Sequence, residues 1–526
     1  MIPVLLLIFT VSSLFPYPLK TKPEETVVPR PGGELRVRAP GQRLNIDLDP
    51  AGEGYPLVIE NLYEGLIRLD QNFNLLPGLA NYWSVSENGK KVIFYLRQNA
   101  QFHNGQEVTA EDVKFSLERL FQLKKQPIFY ELASRIEGGE EYWKGAAQEV
   151  SGLRVVDKKV LEISWKRPGI SNFYFLAAGF TRVLPASLLR SQKKRFFEKP
   201  VGAGPFKFDY WLRNRRLEVI GIRLVRNENY FDRKPLLEAV EISPYFTLED
   251  FFQDEIQVIP YLTYKISREK YHILESHLMQ LSYLFFSCHI PPFDRPSVRR
   301  AIQSFIEKRQ LAGLASTTSN FCQVMNCFIP PFLPGFLPES GRAEENFSQV
   351  LQALEEAGLG RSDKPLVVNL YLEVGNRDLI NNIYQFLRYE LKPAGIQLEL
   401  KINYSAEDLS REKTPYLFYL DWWPALPDPE FVLWPLFHSE GSVNRERFHY
   451  RNARVDQLLE AQRNGINFQR RVSLFKEIEK ILENDLPAIP LFYHKQRLAF
   501  QPYLRNLKTL PFGYFCLNLR EVWMVR

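Results

Sequence analysis

Apolar residues recur at two periods along this chain, and the switches between them mark out its elements. Val58, Ile59, Leu62, Tyr63 and Leu66 fall at helical spacing, which predicts one apolar stripe docked on a core. Asn88-Gly89 stands between two β-prone runs, a strong short-range hairpin signal, and beyond it Val92, Phe94 and Leu96 alternate as a half-buried strand does. Thr109 lies three residues ahead of Asp112, the spacing of a capping box, and Val113, Leu117 and Leu120 repeat along the helix it opens. Further on, Leu366–Leu372 reads as a buried strand. Leu379, Ile383, Phe386, Leu387 and Leu391 then stripe a helix, and Ile396, Leu398, Leu400 and Ile402 alternate after Gly395. That is a β-α-β unit, whose crossover should be right-handed. Val298, Ala301, Ile302 and Phe305 face inward from another helix, leaving Arg299 and Arg300 on its solvated face. Val472, Phe475, Ile478 and Leu482 stripe a late helix that the Leu486-Pro487 break ends. Strand-like runs alternating with amphipathic helices argue for α/β lobes.

Length and composition narrow the picture. A chain of 526 residues exceeds one core and predicts two or three compact units. Its 67 basic and 61 acidic residues are interspersed without a long basic run, which argues against a nucleic-acid partner. Ile2–Pro16 is apolar, as long as a signal-peptide core and short of the ~20 residues a membrane span needs. No Lys or Arg precedes it and no cysteine follows as a lipidation site, so a signal peptide and an uncleaved anchor are the two readings. Lys20–Pro31 is polar and Pro-rich, a linker. Of the four cysteines, Cys322 and Cys327 are close enough to bridge or to stand as free thiols, and Cys288 and Cys516 read as core. Neither CxxC nor zinc-type Cys/His spacing occurs, and the seven histidines do not cluster, so no metal or cofactor is expected. The chain lacks GxSxG, HExxH, Walker and strand-borne GxGxxG motifs, and no enzyme is expected.

Six phrases in order carry a resemblance. They are Leu48-Asp49-Pro50 followed by Leu62-Tyr63-Glu64-Gly65-Leu66; Val201-Gly202-Ala203-Gly204-Pro205-Phe206-Lys207-Phe208; Asn227-Glu228-Asn229-Tyr230-Phe231; Pro291-Pro292-Phe293-Asp294 with Val298-Arg299-Arg300-Ala301-Ile302; Asp428-Pro429 with Pro435-Leu436-Phe437-His438-Ser439; and Leu486-Pro487-Ala488-Ile489-Pro490-Leu491. The chain thereby resembles the family-5 extracellular solute-binding proteins, the peptide-, nickel- and sugar-binding components of ABC importers. The resemblance implies a two-lobed α/β periplasmic-binding fold. Residues 1–31 would be signal peptide or anchor plus linker. Residues 32–265 with 493–526 would form lobe I, with a subdomain of about 58–165 inserted, and 266–492 lobe II. Hinges would lie near Tyr261–Ser267 and Leu491–Lys495. It also implies a monomer outside the cytoplasm, membrane-associated through its permease and possibly its N-terminus, that closes on a small-molecule or peptide ligand. The other readings are a non-transport member of the fold, such as a ligand sensor or assembly factor, or a binder of a sugar or chelated metal.

The best candidate site is Tyr416–Trp434. Leu417–Leu420 should be a strand from whose end Asp421, Trp422 and Trp423 emerge, where open α/β sheets present ligand sites. In peptide-binding relatives an aspartate three residues ahead of the DP pair holds the ligand's α-amino group; that position is Ala425 here. A buried ammonium needs a carboxylate, so a neutral, anionic or stacked ligand gains weight. Asp421 or Glu430 would be the substitute cation partner, Trp422 and Trp423 stacking faces. Asp428 reads as a ligand contact or as the cap of the next helix. Gly52 and Gly54 would let backbone approach a ligand, beside Tyr55. Ser287 and Glu373 complete the expected contacts, and His438 reads as structural.

Overall fold

The computed structural model describes residues 28–525 apart from 40, 42–46, 53, 262, 339–346, 360–364, 374–376, 403, 511 and 512. The apolar N-terminal segment lies outside the described residues. Local signals are met where they were strongest. The Ala80–Val85 and Lys91–Leu96 strands pair antiparallel around the Asn88-Gly89 turn, with Gly89 at φ 69°. Thr109 accepts from the Asp112 amide while the Asp112 carboxylate accepts from the Thr109 amide, opening the Ala110–Leu123 helix. Thr109→Ala should cost about 1 kcal/mol, read as a lowered urea midpoint.

The 366–402 region is a β-α-β unit. Leu366–Glu373 and Ile396–Lys401 are parallel neighbours joined through the Arg377–Leu391 helix. The first helix is shorter than its apolar pattern. It spans Pro56–Leu62, and Tyr63 already has extended backbone, although Tyr63 and Leu66 stay buried.

Among the described residues, an eleven-stranded mixed sheet runs through the molecule. Its order is Ile396–Lys401, Leu366–Glu373, Tyr416–Trp422, His272–Phe286, Ala488–Phe500, Val258–Pro260, Glu34–Arg38, Ala239–Ser243, Val219–Arg226 and Phe206–Arg213, with Asn320–Val324 added beside Ala488–Phe500. A separate four-stranded sheet is built from Ala80–Val85, Lys91–Leu96, Val160–Ser164 and Leu153–Asp157. It falls in the chain between the first and the Phe206–Arg213 strands of the large sheet. One buried core gathers Leu35, Val37, Ile222, Val258 and Leu498; another gathers Leu284, Val368, Ile383, Leu417 and Ile489. A third joins the small sheet to 279–285, 325–333 and 416–488.

The two longest strands, His272–Phe286 and Ala488–Phe500, pair antiparallel between the two sides of this sheet. Their register is irregular between His277 and Leu281 and again between Ser282 and Tyr283. Leu491–Lys495 therefore lies inside a continuous strand rather than in a connecting loop. The possible Cys322–Cys327 bridge is not formed. All four cysteines are free, because Cys322 sits on a strand against His494 while the Cys327 thiol faces the Ile329 carbonyl at 3.1 Å.

Candidate ligand-binding cavity

The Pro56–Leu62 helix contributes Pro56, Ile59 and Glu60 to the lining of the candidate cavity. Asn61 on this helix donates to the Leu517 carbonyl (3.0 Å) and accepts from the Leu519 amide (3.1 Å), tying the helix to the Gly513–Asn518 strand. The Tyr63 hydroxyl donates to the Leu48 carbonyl at 2.9 Å and draws in the 48–52 loop. These bonds bring Asp49, Glu60, Glu64, Arg68, Cys516 and Arg520 to one hollow of about 290 Å³. Ala177–Phe180, Arg182, Ala425, Leu426 and Pro427 also line it.

Every carboxylate on this lining has a cationic partner. Asp49 takes both Nη atoms of Arg119, at 2.9 and 2.5 Å, with Lys125 Nζ at 3.7 Å. Glu60 pairs with Arg182, and burial nevertheless pushes the Glu60 carboxyl above its usual range. Glu64 accepts from the Tyr230 hydroxyl at 2.6 Å and lies 3.6 Å from Arg68. Arg68 in turn donates to Tyr230 (3.0 Å) and Asp232 (2.7 Å), and Arg520 reaches Asp232 at 3.3 Å. Burial pushes the Tyr230 and Cys516 groups well up, so both stay neutral. The guanidinium side is less complete. Nε of Arg68, Nε and Nη1 of Arg182 and Nε of Arg520 are buried without a protein acceptor, a deficit worth roughly 1–3 kcal/mol for each buried group left unpaired.

A charged, mostly apolar hollow between distant stretches of an α/β chain is common to many binders, and the comparisons narrow it. The model of the bacterial extracellular solute-binding proteins, family 5 Middle, matches residues 74–444. The chain belongs to family 5 of the bacterial extracellular solute-binding proteins. The dipeptide-binding protein DppE of Bacillus subtilis is 24% identical over 486 residues, covering 88% of this chain and 86% of that protein. The dipeptide-binding protein of Escherichia coli is 23% identical, covering 88% and 89%. Among solved structures, the periplasmic murein tripeptide binding protein MppA, in its unliganded open form, superposes with a TM-score of 0.79 at 21% identity, covering 94% of this chain and 97% of that one. The fold is thus that of the large two-lobed periplasmic binding proteins.

In this family-5 protein the sequence-predicted residues divide sharply. Gly52, Gly54 and Ala425 line the cavity; the others do not. The glycines serve their own chain. A Cβ at Gly54 would sit 1.8 Å from the Asp47 carbonyl oxygen and one at Gly52 2.1 Å from its carboxylate. Tyr55 precedes the helix as its N-terminal flanking residue and is buried. Asp421 and Trp422 do not emerge from the strand but belong to it, paired with Ser282 and Leu281. The Asp421 carboxylate accepts from Ser282 Oγ at 2.5 Å, with burial raising its pKa. Trp422 donates to the Phe431 carbonyl at 2.8 Å, and Trp423 is 54% exposed away from the cavity. Ser287 is fully buried and accepts from the Tyr416 amide at 2.9 Å, pinning the strand. Glu373 pairs with Arg447 at the surface.

Asp428 and Glu430 form a different feature. Asp428 receives both Nη atoms of Arg471 at 2.6 Å and caps the Glu430 amide at 2.9 Å. Glu430 meets Arg463 at 2.7 Å and also Arg135. Burial alone would raise its pKa. The charges of Arg135, Arg463 and Arg471 outweigh that and hold it well below the usual range, so it is not a spare partner for an ammonium. His438 stacks on Trp434 at 3.8 Å.

Sequence reasoning missed Arg182, Arg68, Glu60 and Arg520. Arg182 is a lone charge in the run from Phe173 to Leu184, and Glu64 is the lone charge of LYEGL. A single charge inside an apolar run is the signal that would have found Arg182 and Glu64. Among the described residues no group of three or more His, Cys, Asp or Glu side chains is placed to hold a metal ion, and no helix is long and apolar enough to cross a membrane.

Proposed function

We propose that this protein is the extracytoplasmic capture component of an ABC importer, taking one small solute, an oligopeptide or related compound, into the cavity and delivering it to a membrane permease. The observation that carries the reading is that the cavity is built from stretches far apart in the chain. One wall comes from residues 49–69, 174–182 and 516–520, the other from the Ala425–Pro427 loop. A solute touching both walls favours the arrangement that brings them together, so closure follows from binding. The moving bodies are 32–265 with 493–526, carrying the inserted 58–165 subdomain, and 266–492. The bend falls at the irregular register of the two long strands. The protein acts as a monomer, released by signal cleavage or tethered by its N-terminal apolar segment.

A hollow of about 290 Å³ sits at the small end of ligand pockets, roughly 300–1,000 Å³, which suits a ligand of two or three residues and agrees with the dipeptide- and tripeptide-binding names among its relatives. The test is a thermal-shift screen of the purified protein against short peptides, oligosaccharides and chelated nickel. A true ligand at about 100 times its Kd should add about 2.7 kcal/mol of stability. Stabilisation confined to chelated nickel or to sugars would replace the peptide class, and silence across the panel would count against solute capture.

A further inference from the structure

Among the described residues, all four buried guanidinium nitrogens that lack an acceptor belong to three arginines, Arg68, Arg182 and Arg520, and all three line one cavity. Arg182 is the most enclosed, at 5% exposure, and carries two of the four. Buried donors in folded proteins are almost always paired, so this concentration marks a place where acceptors are to arrive. The acidic side has nothing comparable to offer. Asp49, Glu60 and Glu64 are each already engaged by Arg119, Arg182, and Tyr230 with Arg68. Ala425, Leu426 and Pro427 also line the hollow and present no charge. An ammonium entering here would find no uncommitted carboxylate, whereas an oxyanion would meet three guanidinium groups whose hydrogen-bonding capacity is not filled.

We infer that the cavity selects a solute bearing an oxyanion, which Arg182 engages, and rejects a free ammonium at the Ala425–Pro427 wall. This rests on the solute-capture reading above and names its ligand chemistry. Glu60 shares the Arg182 guanidinium and therefore opposes the incoming anion. Arg182 and Glu60 should act on affinity in opposite directions, which a purely structural ion pair would not do.

The experiment is calorimetric titration of the purified protein with four tripeptide probes. They are acetylated and amidated peptides with a central Glu, Gln or phosphoserine, and the Gln peptide with a free amino terminus. The Glu or phosphoserine probe should bind about 10- to 100-fold more tightly than the acetylated Gln probe, the worth of a hydrogen bond to a charged group. The ranking of Glu against phosphoserine separates carboxylate from phosphate. Arg182→Met should erase that preference, and Glu60→Gln should strengthen it. Melting curves establish that each variant is folded, and Glu60→Gln carries the test alone if Arg182→Met is not. Preference for the free-amino probe, or weaker oxyanion binding in Glu60→Gln, would overturn the inference. Binding of other solutes in the thermal screen with no response to any oxyanion probe would overturn it and leave solute capture standing. No response to any solute would remove both.

Discussion

Asp428→Ala should destabilise the protein by roughly 3–5 kcal/mol, the cost of stranding a buried charge. Asp428 is fully buried and Arg471 is 2% exposed, and their two 2.6 Å hydrogen bonds form a bidentate pair. Removing the carboxylate leaves Arg471 with Gln462 at 2.9 Å and a distant Glu430 at 3.5 Å. That remainder also unbalances Glu430, whose carboxylate already faces Arg135 and Arg463. The same change at an exposed pair such as Arg411–Glu407 should cost at most about 1 kcal/mol. Urea denaturation of both variants reads the contrast. Equal small losses would show that water or relaxation compensates the buried guanidinium.

Glu479 should make stability fall as pH rises through the neutral range. Its carboxylate is fully buried on the Phe468–Asp485 helix and accepts the Phe328 and Ile329 amides at 2.5 and 3.0 Å. Burial pushes its pKa up to about 8, and the two amides pull it down without cancelling that. The folded protein therefore holds this proton more tightly than the unfolded chain. The stabilisation is complete below the ordinary carboxylate pKa of 4.5 and is lost as pH rises through about 8. The slope inside that window is roughly 1.4 kcal/mol per pH unit for one proton. Asp421 and Glu60, also raised by burial, act with the same sign. Glu479→Gln removes the titrating group but offers a single acceptor, so one of the Phe328 and Ile329 amides loses its partner at every pH. Its urea midpoint should lie below the wild type near pH 5, with the gap narrowing or reversing by pH 9. Parallel pH profiles for the two proteins would contradict this assignment.

What was legible in the sequence follows from which interactions are local. The hairpin at Asn88-Gly89 and the Thr109–Asp112 box depend on residues within a few positions of each other, the 366–402 β-α-β unit on one short crossover, and each is present. The family phrases were legible too, and several are explained by contact. Gly202 donates to His103 Nδ1 at 3.1 Å while His103 Nε2 faces the Gly204 carbonyl, so the glycine-rich phrase and His103 form one neutral joint. Burial holds that imidazole down to about 4.

The site was less legible because its geometry is set by partners far along the chain. The Leu417–Leu420 run looks as though it ends at Asp421, but Leu281 and Ser282 extend the pairing through Trp422 and turn both residues away from the cavity. Arg299, read as part of a solvated face, is 3% exposed and donates to the Asp485 and Leu486 carbonyls at 3.0 and 2.9 Å. There a cation meets the negative end of the Phe468–Asp485 helix. Arg520 follows the Gly513–Asn518 strand, which Asn61 ties to a helix more than four hundred residues earlier. No periodicity records such a tie. The Ala425 position was the exception, placed by motif spacing and found on the cavity wall.

The most direct test of solute capture is a thermal-shift comparison of the wild type with Ala425→Trp. Ala425 is exposed and lines the hollow, so the added indole fills ligand space without entering the core. A solute that stabilises the wild type should leave Ala425→Trp unmoved, with the ligand-free melting temperatures of the two within a few degrees. Undiminished stabilisation of Ala425→Trp would place the ligand elsewhere and contradict the account.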